Sequence, residues 1–158
     1  MPNIRVVCTG PSPLRLLFLS TGNYYRSRFA EILFNALATS TGLNWVAVSR
    51  GLATDRVSGK VGPISAYVVK GLEARGIALD LARSPEQVQE GDLRSAELVI
   101  ALNESGHRVL VERQFPSGSD RVEYWRVNDV GIFPPDDAMA EIEEQIRDLI
   151  LRLAESGH

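Results

Sequence analysis

The chain has 158 residues, 44% of them apolar and 23% charged, with a formal net charge of −3, one cysteine and two histidines. That length and apolar content suit one globular domain with a real core and argue against a second. The charge balance gives no basic footprint for nucleic acid, no apolar run is long enough to span a bilayer, and residues 1–9 lack a signal-peptide pattern. A lone Cys8 makes no internal disulfide, and two histidines without companion cysteines make no zinc site. The expectation is a cytoplasmic protein with no metal, organic cofactor, nucleic-acid partner or membrane partner.

In chain order, residues 1–13 read as an extended arm leading into a single domain over 14–158, because Ile4–Cys8 is followed by Gly10, Pro11 and Pro13. Cys8 reads as a small buried apolar residue. Leu14–Leu19 is a nearly continuous apolar run, which suits a strand covered on both faces. Phe29, Leu33 and Leu37, with Ala30 and Phe34, recur at helical spacing, while Arg28, Glu31 and Asn35 fall on the other side. Trp45–Val48 reads as a second buried strand ending near Ser49-Arg50-Gly51, and Ala53–Gly62 as a polar surface loop. Pro63–Arg75 is predicted helical, with Gly76 where helices often end. Ile77–Asp92 holds at most a short helix.

Ala96–Leu102 is a third strand, Glu104–Arg113 a helix carrying a solvated His107, and Val122–Val127 a fourth strand; His158 lies at a frayed end. Trp45 and Trp125 are expected in the core. The last helix shows one apolar stripe, Ala138, Ile142, Ile146, Leu149 and Leu153, with Glu143 and Arg147 as an i,i+4 pair opposite. Strands alternating with helices predict a three-layer, doubly wound α/β domain with a parallel sheet. Ligands in such folds sit beyond the carboxyl ends of the strands, where Ser20 and Asp129 both fall.

The most informative stretch is Leu14–Glu31, LRLLFLSTGNYYRSRFAE, which runs an apolar strand into a tight turn with one Arg and then opens a helix. Backbone N–H groups of such a turn converge, the helix dipole adds positive character, and Arg26 can donate two parallel hydrogen bonds to a tetrahedral anion. Gly22 permits backbone that a side chain would obstruct, and Asn23 tolerates left-handed geometry while its amide pins the loop. The natural guest is phosphate, bound over Ser20, Thr21, Gly22, Asn23, Tyr24, Tyr25, Arg26 and Ser27.

Ser20-Thr-Gly-Asn-Tyr-Tyr-Arg26-Ser27 resembles the Cys-x5-Arg-Ser signature of the low-molecular-weight protein-tyrosine phosphatases, with Ser20 in the place of the nucleophilic Cys. Val48-Ser-Arg-Gly51 is similar to the family's Ser-x-Gly after the second strand, Gly76-Ile77 to its Gly-Ile, and Ala96–Glu104 to its third strand. The resemblance implies a four-stranded sheet in the order 2-1-3-4 with about five helices. It also implies a phosphomonoesterase, by default a phosphotyrosine protein phosphatase working through a phosphocysteine.

In that scheme Arg26 holds the equatorial oxygens, Ser27 hydrogen-bonds the nucleophile, and an Asp before the last helix is the general acid. By position that acid is Asp129, with Val130 replacing the family's Pro, while Asp136 and Asp137 read better as the start of the last helix. The catalytic set implied is therefore Ser20, Arg26 and Asp129. A hydroxyl keeps its proton far above neutral pH and no base belongs to the motif, so the chain as written is expected to bind phosphate and turn over little.

Ser20 is read as a Cys-to-Ser inactive form, with a natural non-catalytic phosphate or phosphoprotein-binding module as the alternative. An arsenate reductase is disfavoured because it needs further cysteines, and Tyr25 stands where many relatives carry a second one. The loop after the second strand has Asp55 and Arg56 but no aromatic, leaving Tyr24, Tyr25 or Phe133 as ring contacts for a phosphotyrosine or another small phosphomonoester.

Overall fold

The computed structural model describes residues 12–54, 64–79, 83–127 and 135–156. The arm 1–11 with Cys8, the segment 55–63 with Asp55 and Arg56, and 128–134 with Asp129, Val130 and Phe133 lie outside the described residues, as does His158.

β1 (Leu14–Ser20) and β2 (Trp45–Gly51) flank α1 (Arg26–Thr41); α2 (Ala66–Ala74), α3 (Glu90–Arg94), β3 (Leu98–Ala101), α4 (Glu104–Gln114), β4 (Val122–Tyr124) and α5 (Pro135–Glu155) follow. The sheet order is β2-β1-β3-β4, and every pairing is parallel. The expected 2-1-3-4 order and five α-helices are both present.

β1 is central, and its side chains alternate between two cores as a period of two requires. Leu16 and Phe18 join a cluster with Phe29, Phe34, Val68, Leu72, Ile142 and Ile146, on the face covered by α1, α2 and α5. Leu17 and Leu19 join Leu93, Val99, Leu110 and Val111 on the face covered by α3 and α4. A strand buried on both faces has no polar side to show, which is why Leu16–Leu19 reads as an unbroken apolar run. Phe18 stacks edge-on against Phe34 and Trp125, with centroids 6.3 and 5.9 Å apart. Trp45 and Trp125 are buried as expected.

Several element ends differ from the sequence reading. β2 ends at Gly51, where expected, but α2 begins at Ala66 rather than Pro63, because the Ser65 hydroxyl accepts from Tyr67 N–H and caps it. Its far end follows expectation: Gly76 takes φ +72°, and Gly76 and Ile77 N–H return to Glu73 and Leu72 carbonyls. Among the described residues of 77–92 the helix begins only at Glu90, where a Gln89–Asp92 capping box starts it, and it runs on to Arg94. β4 is three residues long, and Trp125 lies just beyond it. The apolar stripe of α5 is buried throughout, and Arg147 pairs with Glu143 at 2.8 Å on the outside.

Candidate functional site

At the carboxyl end of β1 the chain leaves the sheet through residues 20–25 and enters α1 at Arg26. No side chain caps that helix and its first turn carries no acid, so the positive end of the dipole stays uncompensated by side-chain carboxylates. Ser20, Asn23, Arg26 and Ser27 are all buried.

The path of the turn is set by its peptide planes. Leu52 N–H bonds to the Ser20 carbonyl at 2.8 Å and Ala53 N–H to the Thr21 carbonyl at 2.9 Å. A trans peptide aims its N–H opposite to its C=O, so the N–H groups of Thr21 and Gly22 point away from the strand β2 exit, toward the inside of the turn. Gly51 makes this approach possible. A Cβ there would lie 2.9 Å from the Thr21 carbonyl oxygen and 3.2 Å from Asn23 Cβ. Ala53, expected on a surface loop, is therefore buried.

Asn23 is the keystone of the turn. It sits at φ +53°, where Asn is tolerated, and all four capacities of its amide are used. Nδ2 donates to Ser27 Oγ and Ser49 Oγ, each at 2.9 Å. Oδ1 accepts from Glu86 N–H at 3.0 Å and Arg83 Nη2 at 3.3 Å. The Ser20 and Ser27 hydroxyls lie 2.6 Å apart, so a continuous chain of bonds runs from Arg83 through Asn23 to Ser20.

Behind Asn23 stands a charged scaffold that the sequence reading did not single out. Arg83 Nη2 donates to Ser49 Oγ at 2.8 Å and to Glu31 Oε1 at 3.2 Å, and Ser49 donates its hydroxyl to the same Glu31 oxygen. Arg28, placed by periodicity on the polar side of α1, is buried, and its Nη1 donates to the Arg83 carbonyl at 3.0 Å. The polar stripe of α1 thus faces protein rather than water. The only sequence signal was Ser49, through the Ser-x-Gly motif; nothing linked Arg83 to position 23 across sixty residues.

On the opposite side His107 corrects the expectation of a solvated surface residue. It is buried within α4, accepts at Nδ1 from Asn103 N–H at 3.1 Å, and places Nε2 3.1 Å from Thr21 Oγ1. Burial, with the nearby Arg26 charge adding to it, pushes the imidazole down to about 3, so it is neutral at physiological pH. Single-sequence periodicity could not reveal this, because α4 is amphipathic and His107 occupies a core position on it with a polar side chain.

Arg26 donates from Nη1 to the Val127 carbonyl at 3.2 Å, tying the turn to the segment that follows β4. Of the expected catalytic set the structure brings Ser20 and Arg26 into one turn; Asp129 lies outside the described residues. Among the described residues no group of His, Cys, Asp and Glu could hold a metal ion, and no helix is long and apolar enough to cross a membrane. Chemically, a turn of inward N–H groups at an uncapped helix start, with one buried guanidinium, can hold a tetrahedral oxyanion.

Comparisons with known proteins give the family of the chain. The model of the low molecular weight phosphotyrosine protein phosphatase family matches residues 15–156. A protein-arginine-phosphatase of Bacillus subtilis is 32% identical over 137 residues, covering 84% of this chain and 87% of its own. A solved YwlE arginine phosphatase mutant with a phosphorylated active-site serine is 30% identical, covers 89% of this chain and 96% of its own, and superposes with a TM-score of 0.74. A low molecular weight protein tyrosine phosphatase from T. tengcongensis is 29% identical over 90% of this chain and 99% of its own, with a TM-score of 0.72. The chain, matched from the second residue of β1 to the end of α5, belongs to the low molecular weight phosphotyrosine protein phosphatase family.

Proposed function

We propose that the turn over residues 20–27 receives the phosphoryl group of a modified protein side chain or a small phosphomonoester. We further infer that Ser20, standing at the nucleophile position, leaves hydrolysis very slow. The observation that carries this reading is the placement of the Ser20 hydroxyl: buried, at the end of the central strand, 2.6 Å from Ser27 Oγ and at the mouth of α1.

In this reading the N–H groups of the turn and Arg26 neutralise the phosphoryl oxygens, Ser27 steadies the atom at position 20, and Asp129 protonates the leaving group. With Cys at position 20 the thiolate attacks phosphorus and a phosphocysteine forms, which water then opens. With Ser20 the hydroxyl has no base to take its proton, and a phosphoserine once formed loses a far poorer leaving group than a thiolate. The relative solved with a phosphorylated serine supports that dead end.

The default substrate is phosphotyrosine; kinship to a protein-arginine-phosphatase makes phosphoarginine the first alternative to assay. A non-catalytic phosphate-binding module is the second reading, favoured by the bond chain Ser20–Ser27–Asn23–Ser49, which is complete with a hydroxyl at position 20. Arsenate reduction finds no second cysteine to carry a disulfide. The test is hydrolysis of an aryl phosphate and of phosphoarginine by the chain and by Ser20→Cys at mildly acidic pH. Turnover by Ser20→Cys alone, at least about a thousandfold above the parent, supports the phosphatase reading. Silence from both, with phosphate still bound, moves the binding module ahead.

A further inference from the structure

We propose that His107 is a positioning residue of the phosphate turn: its neutral imidazole, seated on the Asn103 backbone, donates from Nε2 to Thr21 Oγ1 and fixes the first peptide planes after Ser20. The inference rests on the reading of residues 20–27 as a phosphoryl site and deepens it.

The direction of this bond follows from valence. A backbone N–H can only donate, so Asn103 N–H at 3.1 Å requires a bare Nδ1. A neutral imidazole with bare Nδ1 carries its proton on Nε2, and that proton faces Thr21 Oγ1 at 3.1 Å. The ring therefore donates, and the Thr21 hydroxyl accepts. A doubly protonated ring would set Nδ1–H against Asn103 N–H, so the seat admits only the neutral form. Asn103 is itself rigid: it caps α4 by accepting Gly106 N–H at 3.2 Å, and α4 follows β3 directly, so the imidazole stands on the sheet.

Thr21 is consequently gripped at both ends. Its carbonyl accepts from Ala53 N–H at 2.9 Å on the β2 side, and its side chain accepts from His107 on the α4 side. With both fixed, the plane joining Thr21 to Gly22 cannot rotate, and its N–H stays turned inward. A lysine or arginine in the same place would supply the donor, but also a second buried cation beside Arg26. A neutral donor holds the turn without competing with Arg26 for the anion.

The test uses inorganic phosphate and the chain as it exists. Its two histidines make the imidazole nitrogen spectrum readable: one ring is expected to stay neutral with its proton on Nε2 from pH 7.5 to 5. Calorimetric phosphate affinity is then measured for the parent, His107→Leu, Thr21→Val, the double variant and His107→Gln. Each of the first two single changes is expected to weaken phosphate binding about fivefold, the worth of one hydrogen bond, with the double variant no weaker than either. His107→Gln, whose amide can still donate, is expected to recover part of the loss.

Thr21→Val is nearly isosteric and keeps the test alive should His107→Leu fail to fold. Parent-like affinity in Thr21→Val and His107→Leu, or additive losses in the double variant, would overturn the inference while leaving the phosphate site intact. Absence of phosphate binding by the parent itself would instead remove the functional reading, and the inference with it.

Discussion

On the α1 side of the turn Asn23 hangs from a charged scaffold of Arg83, Glu31 and Ser49, whereas on the α4 side Thr21 rests on one uncharged imidazole. The charged scaffold lies behind the turn and is partly open to water, with Arg83 and Glu31 side chains 23% and 18% exposed. There, two opposite charges cancel and cost little desolvation. His107 is enclosed and near Arg26, where an added charge would be costly and would lie close to the guanidinium. Distance from the guanidinium and access to water decide which kind of support each flank can carry.

The largest effect that would sharpen this contrast is Asn23→Ala. It strands donors and acceptors on Ser27, Ser49, Arg83 and Glu86 and should cost about 3 kcal/mol in urea unfolding, with phosphate affinity lost. A change under about 1 kcal/mol would show that the turn does not depend on its keystone.

Next comes the pH dependence of the neutral flank. His107 is depressed to about 3 when folded against about 6.5 when unfolded. The unfolded chain therefore binds the extra proton between those values. The stability tied to its neutral form is full above pH 6.5 and is lost as pH falls toward 3. Between pH 7 and 5 the parent should lose about 2 kcal/mol relative to His107→Leu. That window lies above ordinary carboxylate titration, so a gap that stays constant would break the claim of an enclosed neutral ring.

Arg83→Met, on the charged flank, should cost about 1–2 kcal/mol, because it leaves Glu31 and Asn23 Oδ1 short of a donor. Its cost should shrink in high salt, unlike that of His107→Leu. The smallest effect is the control Arg147→Ala, which removes an i,i+4 pair on α5 with Arg147 58% exposed and is expected to change the unfolding free energy by less than about 0.5 kcal/mol.

How legible all this was depended on the kind of force involved. The sheet could be read because β1 is buried on both faces and α5 on one, and burial writes itself as runs and stripes: Leu16–Leu19 and Ile142, Ile146, Leu149. The turn could be read because a Gly, an Asn, an Arg and a Ser at fixed spacing have local backbone reasons to be there; Asn23 at φ +53° shows one of them. The supports could not. Arg83 reaches Asn23 across sixty residues and His107 reaches Thr21 across eighty-six, and a polar side chain on an amphipathic helix reads as solvated until its partner is seen. Element ends set by one cap, such as Ser65 before α2, escaped for the same reason.

Whether the turn holds an oxyanion is decided by titrating the parent chain with inorganic phosphate and following its backbone amide resonances. The N–H signals of residues 21–27 are expected to move together and saturate with one affinity, and Arg26→Ala to abolish the shift. Amides of this turn that stay still at saturating phosphate, or that move equally in Arg26→Ala, would contradict it.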